Sequence, residues 1–191
     1  MAAPRQSDAR ALRHLLSVTI AMALLLPICQ VVCAASVSAV KLKSAFLYNF
    51  TKFVEWPPER FANASEPIVI GLMADEPMRA EIATIVANRF VNSRALVVRP
   101  VASVADMQAS HILFVSSHEQ VRYVSMRHRA PLAAVLIVGE GESCRLSGGG
   151  ICFFQQGNKL RFEINIDTVE RSHLKIGAQL QKLAIAVNKG S

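Results

Sequence analysis

The 191-residue chain carries 21 Lys and Arg against 14 Asp and Glu, a formal net charge of +7, and 52% of its residues are apolar. The basic residues are scattered, with only loose groupings at Arg89, Arg94 and Arg99 and at Arg122, Arg127 and Arg129. No aromatic-interleaved basic stripe accompanies them, which argues against nucleic acid; an acidic partner or an anionic membrane surface suits the charge.

The N-terminus sets Arg5, Arg10 and Arg13 against the single acid Asp8, runs uncharged from Leu15 to Pro27, and continues into small residues, VCAASVSA. This order predicts a secretory signal peptide over residues 1–35, cut after Ala34 or Ala35, with Ala39 as a later option. Its apolar stretch falls short of the ~20 residues of a spanning helix. Ile28 and Val32, which precede Cys29 and Cys33, do not fit a lipoprotein site. An uncleaved anchor is the alternative reading. Export to a bacterial periplasm follows, leaving residues 36–191 as a single domain of about 156 residues, enough for a sizeable core. Its net charge is about +5, which a solvated basic surface accounts for.

Val40 to Val54 reads as a helix with Leu42, Phe46, Phe50, Phe53 and Val54 on one face, stopped by Pro57-Pro58. Pro67–Ala74, Ala95–Val101, His111–Ser116 and Ala133–Val138 read as strands. Between them lie helical segments at Glu76–Asn88, Val104–Gln108 and Ser117–Arg129, the last with Ser117 and Gln120 at capping-box spacing. This alternation predicts a mostly parallel central sheet with helices on both faces. The rhythm then changes: ICFFQQ and KLRFEIN, joined across Gly157-Asn158, predict an antiparallel hairpin at the sheet edge. In the second strand Leu160, Phe162, Ile164 and Ile166 point inward, and Arg161, Glu163 and Asn165 outward. A final helical region follows, with Ile176, Leu180, Leu183, Ala184 and Val187 as its stripe and Gly177 as a point where it breaks.

Cys29 and Cys33 fall within the leader. Cys144 and Cys152, in SCRLSGGGIC, therefore stand as the pair of the exported chain, and a structural disulfide is the first reading in an oxidising compartment. A redox switch, free thiols or metal binding are the alternatives. The glycine-rich stretch is no phosphate loop, because it leads into a strand and lacks the following Lys-Ser/Thr; GEGES after the 133–138 strand lacks a third glycine and a helix. Ser116-Ser117, at a strand's carboxyl end, is either an N-cap or an anion site. His111, His118, His128 and His173 lack metal-ligand spacing, and no nucleophile elbow, HExxH or triad signature appears. Two polar groups on apolar elements remain: Tyr48-Asn49, Lys52 and Glu55-Trp56, and then Arg161, Glu163, Asn165, Arg171, His173 and Lys175. Each is either a solvated face or a partner surface anchored by Trp56 and Arg171.

The segments KSAFLYNFTKFVEWP (43–57), PIVIGLMADEP (67–77), SHILFVSSHE (110–119), GGGICFF (148–154) and RFEINIDTVERSHLKIGAQLQKLA (161–184) resemble YfiR-like periplasmic proteins. The resemblance runs in order from Lys41 to Val187. It implies an α/β fold, frequently a homodimer, and a periplasmic repressor of an inner-membrane diguanylate cyclase of the YfiN type. It further implies that an OmpA-like outer-membrane lipoprotein sequesters the repressor, releasing cyclic-di-GMP synthesis and biofilm formation. The family's late disulfide maps onto Cys144 and Cys152. Where members often carry a further Cys, this chain has Ser110, so a second bridge is not expected. The expected partner surface comprises Phe46, Tyr48, Asn49, Phe50, Phe53, Trp56, Arg161, Glu163, Asn165, Arg171, His173 and Lys175. No catalytic residue, cofactor or metal is expected. The competing readings are a periplasmic small-ligand sensor feeding another membrane receptor, such as a histidine kinase, and an envelope enzyme, for which no catalytic constellation is visible.

Overall fold

A computed structural model describes residues 28–188 apart from position 130, with side chains from residue 39 onward. The charged and apolar parts of the expected leader lie outside the described residues, as do the side chains of Cys29 and Cys33. The first helix, Ile28–Phe53, begins earlier than the phenylalanine stripe alone predicts. Residues 28–39 are small or apolar apart from Gln30 and contain no Gly or Pro, so nothing local interrupts it. It passes directly into β1 (Val54–Glu55), and Pro57 and Pro58 then start a single 3₁₀ turn.

The predicted alternation appears as β2 (Ile68–Met73), helix Glu76–Val86, β3 (Phe90–Val91), β4 (Arg94–Pro100), helix Val104–Ala109, β5 (Ile112–Val115), helix Gln120–Arg127 and β6 (Leu136–Glu140). Local chemistry sets several of these boundaries. Asp75 caps the second helix by accepting from the Met78 N–H, and Ser103 with Asp106 forms a reciprocal capping box on the next. Ser117 and Gln120 form no such box. Ser117–Glu119 is a 3₁₀ turn, and the buried Gln120 amide donates instead to Ser143 O and Ser147 Oγ.

After the short helix Gly141–Leu146 come β7 (Ile151–Gln156) and β8 (Lys159–Asn165), the predicted hairpin, paired from Gln156–Lys159 to Ile151–Ile164. The C-terminal stripe resolves into helix Ile166–Arg171, β9 (Lys175–Ile176), helix Ala178–Leu183 and β10 (Ala186–Asn188). The final helix is therefore shorter than the stripe suggests. Gly177 and Ala184, both extended, bound it on either side.

The main sheet has eight strands in the order β10-β8-β7-β6-β5-β2-β4-β3. Only the β7–β8 and β3–β4 pairs are antiparallel. The hairpin sits toward one edge, with β10 adding in parallel outside it. Both faces are covered, so β2 and β5 are buried along their whole lengths. One face packs Leu47 and Phe50 of the first helix and Met78, Ile82 and Val86 of the next against Ile70, Phe114, Val138, Phe153 and Phe162. The other packs Met107, Tyr123 and Met126 against Leu113, Val115 and Ile137. Neighbouring residues of one strand thus serve opposite cores.

Candidate functional site

The first predicted polar group and the later part of the second, more than a hundred residues apart in sequence, meet through a two-stranded sheet. β1 pairs antiparallel with β9, placing Val54 opposite Ile176 and Glu55 opposite Lys175. Gly177 N–H donates to Phe53 O at 2.8 Å, extending the junction. The end of the first helix is thereby tied to the segment carrying Arg171, His173 and Lys175.

The residues at this junction play unequal parts. Phe50 is wholly buried, and Phe46 packs on Phe153 and Phe162 at centroid distances of 5.8 and 5.4 Å. Phe50 therefore leaves the expected contact surface: its ring is committed to the core, and Phe46 is largely so. Phe53 is half-buried. Tyr48 remains accessible, with the Lys52 ammonium 4.1 Å and the Arg89 guanidinium 4.6 Å from its ring centroid. Hydrogen bonding to Arg89 leads the effects that hold its phenol below the ordinary value. Asn49 accepts from Lys52 at 3.4 Å. Trp56 is half-buried and donates through Nε1 to His111 O at 3.2 Å, leaving part of its ring outside. Arg171 is exposed but steadied by donating to Thr168 Oγ1 at 2.9 Å; His173, also exposed, takes a positive φ of 59°.

Arg161 and Glu163 do not join this surface. On β8 they alternate with Phe162 and Ile164, which face the first helix, so they point to the opposite side of the sheet. There Glu163 pairs with Arg145 at 3.4 Å, beside the disulfide. Asn165 is used locally, its Oδ1 accepting from the Thr168 N–H at the start of a helix. The twelve expected contact residues thus divide between two faces and a core.

Cys144 and Cys152 are joined, with Sγ atoms 1.99 Å and Cα atoms 5.8 Å apart. The bridge ties helix Gly141–Leu146 to β7. It also explains Gly149: a Cβ there would lie 2.3 Å from Cys144 Sγ and 2.8 Å from Cys152 Sγ. Gly148 adopts φ +74°, which a glycine takes without strain. Facing Ser110, where a second bridge would need a partner, stands Gly71. An ideal Cβ on it would fall 2.1 Å from Ser110 Oγ. Neither position bears a sulfur.

Two polar features, one part-buried and one fully buried, escaped the sequence reading. At the carboxyl end of β6, Glu140 accepts from Lys43 Nζ of the first helix and from the Ser117 N–H at 2.9 Å. Burial pushes this carboxyl up, but Lys43 and Ser117 together hold it below the ordinary value. The Ser116-Ser117 turn, open to an anion in the sequence reading, thus already engages the chain's own carboxylate. The GEGES segment does enter a helix, though only one of six residues. The second feature is His111, 1% exposed, stacked on Phe61 at 4.7 Å and edge-on to Trp56 at 5.8 Å. Its Nδ1 accepts from the Val69 N–H at 3.1 Å, which places the neutral ring's proton on Nε2. Burial first, then the Arg60 charge, lowers its pKa to about 4. Phe61 carries Arg94 over its outer face at 3.7 Å, and Arg60 donates to Gln108 O and Ser110 O. This stack locks the 56–66 loop onto β2 and β5.

Among the described residues no group of three His, Cys, Asp or Glu is placed to hold a metal, and no helix is long and apolar enough to cross a membrane. Residues 40–185 match the YfiR/HmsC-like family model. The chain belongs to the YfiR/HmsC-like family. The YfiR/HmsC-like family is periplasmic, and the Cys144–Cys152 disulfide fits an oxidising compartment. No match is found among curated proteins. Among solved structures, this YfiR/HmsC-like chain is similar to a conserved domain protein from Vibrio cholerae O1 biovar El Tor strain N16961, at 11% identity and a TM-score of 0.49. The similarity covers 78% of the chain and 60% of that protein, so the chain spans less than two thirds of its length.

Proposed function

We propose that this protein is a non-catalytic periplasmic repressor that binds the periplasmic part of an inner-membrane diguanylate cyclase and holds it inactive, lowering cyclic-di-GMP and biofilm formation. Sequestration by an OmpA-like outer-membrane lipoprotein relieves the repression. The observation that carries this reading is the family match over residues 40–185, nearly the whole length beyond the expected leader. The mechanism is differential binding: the repressor stabilises one arrangement of the cyclase, and a competing binder lowers its free concentration. A homodimer, the frequent state in this family, would present the binding face twice.

The contact face proposed for the cyclase is the β1–β9 junction. Tyr48, Asn49, Trp56, Arg171, His173 and Lys175 flank it, and the two-residue pairing fixes their spacing. Trp56 is the anchor type of residue, a large half-buried ring beside accessible cations. The test is binding of the purified periplasmic domain of the cognate cyclase. Trp56→Ala and Arg171→Glu should each weaken it by about tenfold or more, with circular dichroism unchanged. Parent-like affinity in both variants would remove the junction from the contact surface. Failure of the parent itself to bind would reject the repressor reading.

A further inference from the structure

A hollow of about 370 Å³ opens between the end of helix Gln120–Arg127, the Gly148–Gly150 turn and helix Ile166–Arg171. Leu136, Val169 and Leu174 contribute apolar surface, Thr168 and Ser172 supply hydroxyl-bearing side chains, and Arg127, His128 and Arg129 stand in its lining. No Asp or Glu lines it. Its volume falls within the range of small-molecule sites.

Arg127 is the informative residue. Arg60, Arg79, Arg94, Arg122 and Arg171 each donate to a carbonyl, carboxylate or hydroxyl oxygen, and Arg145 forms ion pairs with Glu142 and Glu163. Among the described residues Arg99, Arg127, Arg129 and Arg161 have no such partner, and of these Arg127 and Arg129 line the hollow. Arg127 is exposed, and its guanidinium lies along the Gly148 turn. Its Nη1 and Nη2 lie 3.0 and 3.2 Å from where a Cβ on Gly148 would stand, so the bare glycine lets the guanidinium settle over the turn. One helical turn back, the Tyr123 hydroxyl is buried without a hydrogen-bond partner and lies within electrostatic reach of Arg127. A helix C-terminus favours a cation and accounts for a basic residue at position 127. It does not account for a seated, unpaired guanidinium on the wall of an acid-free hollow.

A second depression shares Arg127, His128 and Gly148 and is lined by Val124 and Leu146. Leu146 is 81% exposed, so apolar surface adjoins the cationic wall.

We propose that this hollow binds a small organic oxyanion, its carboxylate or phosphate group accepting hydrogen bonds from the Arg127 guanidinium and its apolar body lying toward Val124 and Leu146. Arg127 supplies the planar fork that suits either group. The site adjoins the segment that carries Arg171, His173 and Lys175, but it does not depend on the repressor reading.

The test titrates the purified chain with inorganic phosphate and, separately, with citrate, holding ionic strength constant with sodium chloride. Calorimetry and amide ¹H–¹⁵N spectra supply the readouts. The expected result is saturable binding with shifts at the Gly148 and Gly150 amides, weakened about tenfold or more by Arg127→Gln, the loss of a charge-assisted hydrogen bond. Arg99→Gln, an exposed cation elsewhere, should bind as the parent does. Binding of phosphate alone assigns a phosphate-bearing ligand, binding of citrate alone a carboxylate, and binding of both the shared oxyanion chemistry. Saturation by neither probe, or unchanged affinity in Arg127→Gln, would overturn the proposal.

Discussion

Replacing Cys144 by Ser removes the bridge to Cys152 and tests what the bridge contributes at the hairpin. The two cysteines are eight positions apart. Closing a loop that short removes about 2.6 kcal/mol of chain entropy from the unfolded state in the loop-entropy model. For a domain of this size that corresponds to a fall in melting temperature of about 5–10 °C. The single variant adds a cost of its own, because the site is buried and receives a hydroxyl. Cys144→Ala/Cys152→Ala isolates the bridge more cleanly. Thermal unfolding by circular dichroism, with and without reductant, is the assay. The parent should melt lower in reductant, and the double variant should be insensitive to it, melting near the reduced parent. A parent whose melting temperature ignores a reductant shown by thiol titration to have opened the bond would refute the reasoning.

Gly71→Ala should destabilise by about 1–3 kcal/mol through overpacking, since the added Cβ meets Ser110 Oγ at 2.1 Å and Val101 Cγ2 at 2.9 Å. Adding Ser110→Gly should recover a good part of that loss, and a denaturant double-mutant cycle showing strict additivity would contradict the contact. For His111, the folded pKa of about 4 lies below the ordinary value of 6.5. The unfolded chain takes up this proton first, so the contribution is full above the ordinary value and is lost as pH falls through the folded one. Urea midpoints should decline from pH 6.5 toward 4, and less steeply in His111→Phe; equal slopes would remove His111 as the cause. Glu140 titrates below its ordinary value, so its contribution is present above that value and lost as pH falls through the folded one. Glu140→Gln should cost about 1–3 kcal/mol at neutral pH and flatten the acid limb of the stability profile, as followed by chemical denaturation.

The alternating architecture was legible because its elements carry strong periods. Ile68–Met73 is a continuous apolar run and forms a fully covered strand; Phe162 and Ile164 alternate with Arg161 and Glu163 and obey that alternation in space. The final stripe was harder. Ile176, Leu180 and Val187 fit a helical spacing equally well when they lie on β9, a short helix and β10. The β1–β9 junction gave no signal, since two-residue strands have no period and their pairing spans the domain. Glu140 and Lys43 looked like ordinary surface charges, and only the fold brings them together. Gly71 has no side chain to read, so its approach to Ser110 emerges only from coordinates. Arg161 and Glu163 were correctly placed on the polar face of β8, but the strand alone does not say which side of the sheet the first helix covers.

The central claim, repression of a diguanylate cyclase, is tested most directly by cellular cyclic-di-GMP after deletion of this gene, measured with and without the cognate cyclase gene. The account predicts a rise on deletion when the cyclase is present, none when it is absent, and reversal on complementation with the intact chain. An unchanged level in the strain that retains the cyclase would contradict it.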